Sequence, residues 1–172
     1  SNVKKVILFL GSNIGNLTDS ESTLFMENLS LNLNQNDSIV LGVDLIKPKS
    51  IVLPAYNDSK GTTAKFNLNL LSRINKELGA NFNITNFKHT PEYSEKTGIA
   101  KSSITSLVDQ EVKIEKLEAT FKFSEGEQIH TEISRKYNPT IIQKITKGSN
   151  LKIVHKIHDS KNYFANYVFK RL

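Results

Sequence analysis

Cysteine and tryptophan are absent from the 172 residues, and methionine occurs once. Without cysteine the chain forms no disulfide, offers no thiolate nucleophile and builds no cysteine-based metal site, which suits a reducing compartment. Long apolar runs are missing too. None approaches the ~20 residues a membrane span requires, and no charged-then-apolar leader opens the sequence, so the chain reads as soluble and cytoplasmic, with no membrane partner. Clusters of one charge sign are also lacking. The net charge is +6, yet lysines are scattered among acids, and the densest basic stretch, Arg135-Lys136 with Lys144 and Lys147, reads as a solvated helix face. Phosphate neutralisation needs clustered cations, so nucleic acid is not an expected partner.

What is present is a chain long enough for one domain, or one and a small second, with a real core. Its centre of organisation is Val3 to Asn16. The apolar run Val6 to Leu10 reads as a strand buried on both faces, as in a parallel sheet covered by helices. Gly11 and Gly15 break it, and a Gly-rich turn between a buried strand and a helix is where open α/β sheets place ligands. Gly11-Ser-Asn-Ile-Gly15 is neither the dinucleotide GxGxxG nor a P-loop, so on spacing alone an ordinary strand-to-helix turn fits equally well. Thr18 and Glu21 have capping-box spacing and start a helix with Leu24, Phe25, Leu29 and Leu33 on its apolar side. Ser38 to Ile46 follows as a second doubly buried strand, parallel to the first.

Pro48 and Pro54 end this regime. Thr62 to Leu78 reads as a long helix with Leu71, Ile74 and Leu78 on one stripe, Phe66 and Leu70 beside it, and Gly79 as its cap. Between Asn81 and Glu95 only a short helix near Ile84 to Phe87 is expected. From Ile99 to Tyr137 the apolar period becomes two, which predicts about three antiparallel strands, with Gln128 to Lys136 as the returning one. There His130, Glu132 and Ser134 share a face that is either solvent-facing or the wall of a pocket. Asn138-Pro139 opens a short helix, and Leu151 to Ile157 with Tyr163 to Phe169 closes the chain as an antiparallel hairpin. His130, His155 and His158 lack the neighbours of a metal site and read as structural.

The segments Leu8-Phe-Leu-Gly-Ser-Asn-Ile-Gly-Asn16, Leu41-Gly-Val-Asp-Leu45, Ala55-Tyr-Asn-Asp58, Phe66-Asn-Leu-Asn69 and Glu125 to Ser134 together resemble successive motifs of the histidine-specific, S-adenosylmethionine-dependent methyltransferases. That family is typified by the enzyme that trimethylates the histidine α-amine in ergothioneine synthesis. The resemblance runs from the first strand to the final hairpin. It implies an α/β fold: the carboxyl-terminal half of a class I, Rossmann-like methyltransferase sheet, with residues 1–46 and 138–172 as core and 47–137 as an inserted α+β substrate domain. It also implies that this chain supplies the fourth to seventh strands, and that most of the S-adenosylmethionine site lies upstream, Gly11 standing at its edge. Ser1-Asn2, in place of an initiator methionine, fits a natural chain that begins earlier.

Carried over by the resemblance, Asn16 and Tyr56 hold the substrate's α-carboxylate and orient its amine, while Glu132 and Ser134 meet the imidazole nitrogens. At Ser102 the family tends to place an apolar residue, often Met, and this departure widens the expected substrate from histidine to a related amino acid or another small amine. Catalysis then rests on positioning, with no side-chain nucleophile. A non-enzymatic half-fold binding module is the alternative outside enzymology. Two further expectations follow from the resemblance. The chain alone is inactive, and strand 3–10, lacking its usual neighbour, self-associates through its edge.

Overall fold

A computed structural model describes residues 3–172; Ser1 and Asn2 lie outside them. The chain begins with β1 (Val6–Phe9), α1 (Asp19–Leu31), β2 (Ser38–Asp44), α2 (Lys49–Val52) and α3 (Thr62–Leu78). Five strands follow: β3 (Phe87–Ser94), β4 (Ile99–Ser106), β5 (Gln110–Ile114), β6 (Ala119–Phe123) and β7 (Gln128–Arg135). It ends with α4 (Pro139–Ile145), β8 (Leu151–His158) and β9 (Phe164–Arg171). This mixed α/β chain divides into two compact units. The first holds the chain up to Pro48 with Ser94–Ile99 and Ile133–Leu172; the second holds Lys49–Tyr93 and Ala100–Glu132.

The first unit is built on a four-stranded sheet in the order β1-β2-β9-β8. β1 and β2 are parallel, Val6 opposite Ser38 through Phe9 opposite Leu41. β9 runs antiparallel to both of its neighbours, as the short connection between β8 and β9 requires. The capping box of α1 forms as its spacing predicts, Glu21 N donating to Thr18 Oγ1 at 3.3 Å and Thr18 N to Glu21 Oε2 at 2.8 Å. Asn138 caps α4 by accepting from Ile141 N at 2.9 Å, with Pro139 in the first turn. Between helices and sheet lies one core, which includes Ile14, Met26, Ile39, Leu41, Tyr137, Ile142, Ile145 and Phe169. Truncating either buried isoleucine of α4 to alanine costs roughly 2–5 kcal/mol on the scale of such core substitutions.

β1 departs from its expected double burial. Ile7 and Phe9 pack on the core, the Phe9 ring tilted against Phe25 at 4.8 Å between centres, whereas Val6 and Leu8 are 62% and 63% exposed. Among the described residues β1 is an edge strand with β2 as its one partner, and alternation sends its even-numbered side chains to the uncovered face. Leu24 on α1 is likewise exposed, while Ser22, Met26 and Ser30 take the buried positions.

The second unit contains α3 and most of a three-stranded sheet, β3-β4-β7, with a separate ribbon of β5 and β6. Ile99 to Tyr137 therefore supplies two sheets rather than one. Leu71 of α3 is fully buried against Phe82, Phe87, Ile104 and Val112, and Phe82, Phe87 and Phe123 meet at 5.6 to 6.1 Å between ring centres. Phe66 falls outside this core at 78% exposure. β3 is the one strand absent from the sequence expectation, because Pro91 interrupts its pattern. Its place at the sheet edge explains how proline is tolerated there, since an edge strand has one row of backbone donors to spare.

Candidate functional site

The Gly turn after β1 is shaped by two consecutive left-handed residues, Gly11 with φ 74° and Ser12 with φ 59°. Ser12 ties the turn to the carboxyl end of β2. Its amide donates to the Gly42 carbonyl at 3.1 Å, and its Oγ accepts from the Asp44 amide at 3.0 Å. A non-glycine residue held in that region is strained, and such strain persists where the surroundings over-determine it. A Cβ on Gly11 would meet only Asn13 Nδ2, at 3.8 Å, so the turn's backbone is open on that side. Asn13–Asn16 then forms a single 3-10 turn, leaving Asn16 exposed at its end.

The same turn is pressed onto the end of β7. A Cβ added to Gly15 would lie 2.7 Å from the Arg135 carbonyl oxygen, so only glycine permits this approach. Asn16 is thereby fixed beside the chain stretch that carries Ser134. Ser134 is buried, and Lys136 Nζ donates to its Oγ at 2.9 Å. Lys136, 5% exposed, also pairs with Asp44 at 3.1 Å, and Asp44 has a second ion pair with Lys47. Arg135 is anchored by the Thr97 carbonyl at 2.7 Å and the Asp19 carboxylate at 3.1 Å, which Lys144 shares. Gly11, Asn16 and Ser134 thus belong to one unit, organised around the carboxyl ends of β1 and β2. Tyr137, next along, is deeply buried, and that burial pushes its phenol up to about 12.

In the second unit Tyr56 is half-buried against Val52, Tyr93 and Ala100. Its carbonyl oxygen is held at 2.8 Å by His89 Nε2, which must carry the proton because a carbonyl only accepts. The loop after Tyr56 is closed by Asp58, whose carboxylate accepts from the amides of Thr63 at 2.7 Å and Thr62 at 2.9 Å. Those backbone donors hold the Asp58 carboxyl far below the usual carboxylate range.

On β7, His130 and Glu132 stand on the face opposite Ile129 and Thr131, as alternation predicts. Ser103 Oγ meets His130 Nδ1 at 3.0 Å on that face. Glu132 is exposed and borders a hollow of about 310 Å³ with Phe66, Asn67, Asn69 and Arg73. Ser102 sits differently. Ala100 and Ile104 of β4 are core residues, so Ser102 between them points to the core side, away from the His130 face. Its Oγ is fully buried without a hydrogen-bond partner among the described residues, while its carbonyl accepts from Thr131 Oγ1 at 3.0 Å.

Asp44 and His89 were not singled out in the sequence, and Arg135 and Lys136, read there as part of a solvated helix face, are buried instead. Asp44 had a signal, lying at the end of a predicted strand inside one of the quoted motifs. Lys136 and His89 had none, because their roles depend on contacts far away in sequence. Among the described residues, no group of three His, Cys, Asp or Glu side chains is arranged to hold a metal ion.

Residues 1–171 match the family model described as histidine-specific, S-adenosylmethionine-dependent methyltransferase. Histidine N-alpha-methyltransferase of Mycolicibacterium smegmatis is 35% identical over 136 residues, covering 79% of this chain and 42% of the relative. Ergothioneine biosynthesis protein 1 of Schizosaccharomyces pombe is 25% identical over 166 residues, 96% of this chain and 21% of the relative. A solved S-adenosylmethionine-dependent methyltransferase from Clostridium acetobutylicum superposes with a TM-score of 0.49 at 12% identity, over 99% of this chain and 60% of that one. The chain thus spans less than half the length of the curated relatives it matches. With residues 1–171 matched by the family model, the chain belongs to the histidine-specific, S-adenosylmethionine-dependent methyltransferases.

Proposed function

We propose that this chain serves the transfer of methyl groups from S-adenosylmethionine to the α-amine of histidine or a related amino acid. The observation that carries the reading is the polar face of β7, Glu132 and Ser134 two residues apart, in a chain matched by a histidine-specific family. A carboxylate and a hydroxyl at that spacing suit a ring with one N–H and one bare nitrogen. Asn16 and Tyr56 are assigned to the substrate's α-carboxylate and amine, with residues 49–132 providing most of the substrate-binding part and the β1-β2-β9-β8 sheet the class I methyltransferase core. Gly11 is assigned to the edge of the cofactor site, and its open backbone fits close approach by a small molecule.

When bound, S-adenosylmethionine supplies an electrophilic methyl group on a sulfonium. The chain's own contribution is positional: Asn16 holds the amine with its lone pair directed, and the amine proton leaves to water. No side-chain nucleophile is needed. A second reading is methylation of another small amine: Ser102, expected among the substrate contacts, is turned to the core instead, so the expected histidine contacts are not all met. The absence of cysteine fits a cytoplasmic site of action, and among the described residues no helix is long and apolar enough to cross a membrane.

The test is methyl transfer by the full-length gene product, with histidine and a panel of other amino acids and small amines. Methylated histidine is expected, at a rate lowered by Asn16→Ala and by Glu132→Ala. Transfer to a different amine alone selects the second reading. No transfer and no binding of S-adenosylmethionine overturns both and leaves a binding module.

A further inference from the structure

We infer that one buried water molecule is built into the junction of the Gly turn, the first turn of α1 and the end of β7, where it joins Arg135 and Tyr137 to Ser22. The inference stands apart from the roles assigned to Asn16, Glu132 and Ser134. Arg135 and Tyr137 are two residues apart on extended chain, so their side chains leave it on one side. Both are directed at α1: Arg135 Nη2 donates to Asp19 Oδ2 at 3.1 Å, and the Tyr137 ring lies in the core with Ile14 and Met26. Each carries a buried polar atom with no hydrogen-bond partner among the described residues, the hydroxyl of Tyr137 and Nε of Arg135. Tyr137 is 1% exposed and Arg135 9%. After burial itself, the groups that act on the Tyr137 phenol are Ser22, Arg135 and Asp19, which places its hydroxyl among them.

The polarity of these atoms fits water. A guanidinium Nε only donates. Ser22, itself buried, directs its proton to the Ile14 carbonyl at 3.4 Å, which leaves the lone pairs of its Oγ to accept. A water in this junction accepts from Arg135 Nε and from the Tyr137 hydroxyl and donates to Ser22 Oγ, about the three hydrogen bonds that a buried water typically makes. Without it, two buried donors would stay unmet, which proteins rarely tolerate. An anion could accept from the same donors, but the Asp19 carboxylate, one helical turn before Ser22, repels one. Because Ser22 also holds the Ile14 carbonyl, the water ties the end of β7 to the turn that ends in Asn16.

The experiment uses the full-length gene product. Tyr137→Phe keeps the ring and removes the hydroxyl: taking away an unmet buried hydroxyl raises stability or leaves it unchanged, whereas taking away one that is bonded to a buried water lowers it. The urea midpoint is expected to fall in Tyr137→Phe and in Ser22→Ala, and to fall in the double variant by less than the sum of the two, since either change alone breaks the bridge. Tyr167→Phe is the control. Its hydroxyl is also buried without a partner among the described residues, but burial alone acts on its phenol, and its removal should not lower the midpoint. A crystal structure should show one density peak about 2.7–3.2 Å from Tyr137 Oη, Arg135 Nε and Ser22 Oγ. The inference is overturned by a midpoint that rises in Tyr137→Phe, by an equal fall in Tyr167→Phe, by additive losses in the double variant, or by a direct Tyr137–Ser22 hydrogen bond with no peak. A peak that exchanges for bromide in a soak identifies an anion and overturns it as well.

Discussion

Gly15 and Arg135, 120 positions apart in sequence, touch backbone to backbone, with no room for a methyl group between them. The contact fixes where Asn16 stands relative to the end of β7. Gly15→Ala forces the turn and the strand apart, and on the scale of overpacking substitutions it costs about 1–3 kcal/mol. In urea unfolding the midpoint should fall, and the Michaelis constant for the amino acid should rise more than that for S-adenosylmethionine. Equal effects on both constants would mean that the turn serves the fold and not the substrate.

His89 holds the Tyr56 carbonyl, and its second ring nitrogen is buried without a partner among the described residues. Removing the ring takes a hydrogen bond from the Tyr56 carbonyl, at a cost of about 0.5–1.5 kcal/mol. His89→Leu should therefore loosen the loop before α3 and weaken amino-acid binding. His89→Gln, which can place an amide N–H near the same point, should restore much of both. Hydrogen exchange at residues 56–61 is the direct readout; unchanged protection in His89→Leu would sink the idea.

Asp58 caps the start of α3 with its charged carboxylate, and its pKa is depressed by the Thr63 and Thr62 amides. A depressed folded pKa contributes stability that is complete above the unfolded value, near 4. It is lost as pH falls from there through the folded value. Helix content at α3 should weaken on acidification below about pH 4, and Asp58→Asn should remove that part of the pH dependence. A wild-type acid profile identical to that of the variant would show that the cap contributes nothing.

The uncovered side of β1 gives a fourth expectation. Val6 and Leu8 present an apolar row on an edge strand, and such edges pair with further strands. The 172-residue chain is expected to self-associate through residues 3–10, and Leu8→Lys should shift it towards monomer. Sedimentation at increasing concentration decides; a wild-type chain that stays monomeric throughout refutes it.

Much of this was legible in the sequence because the signals were local. The capping box of Thr18 and Glu21, the Asn138-Pro139 start of α4, the extent of α3 up to Gly79 and the final hairpin are each written within a few residues. Failures came where a neighbour decides. The run Val6 to Leu10 is apolar enough for burial on both faces, but burial depends on what covers the strand. β3 was hidden by Pro91, whose tolerance depends on an edge position that no local pattern announces. Of the residues expected at the site, Gly11, Asn16 and Ser134 lie in one unit. Ser102 is turned towards the core by the register of β4, which the sequence did not fix, and Lys136 matters through a pairing with Asp44 across 92 positions.

The chain passes between its two units at four places, and the short piece Ser94–Ile99 returns to the first unit between two stretches of the second. Within that piece Gly98 accepts from the Lys136 amide at 2.6 Å, and a Cβ there would collide with the Lys136 carbonyl oxygen. Residues 49–132 are therefore not a detachable block. Exchanging residues 49–132 as a block between relatives would also replace the turn that seats Lys136. A chimera that transplants a new substrate preference has to retain Ser94–Ile99 from the recipient, which makes the transfer two grafts and not one.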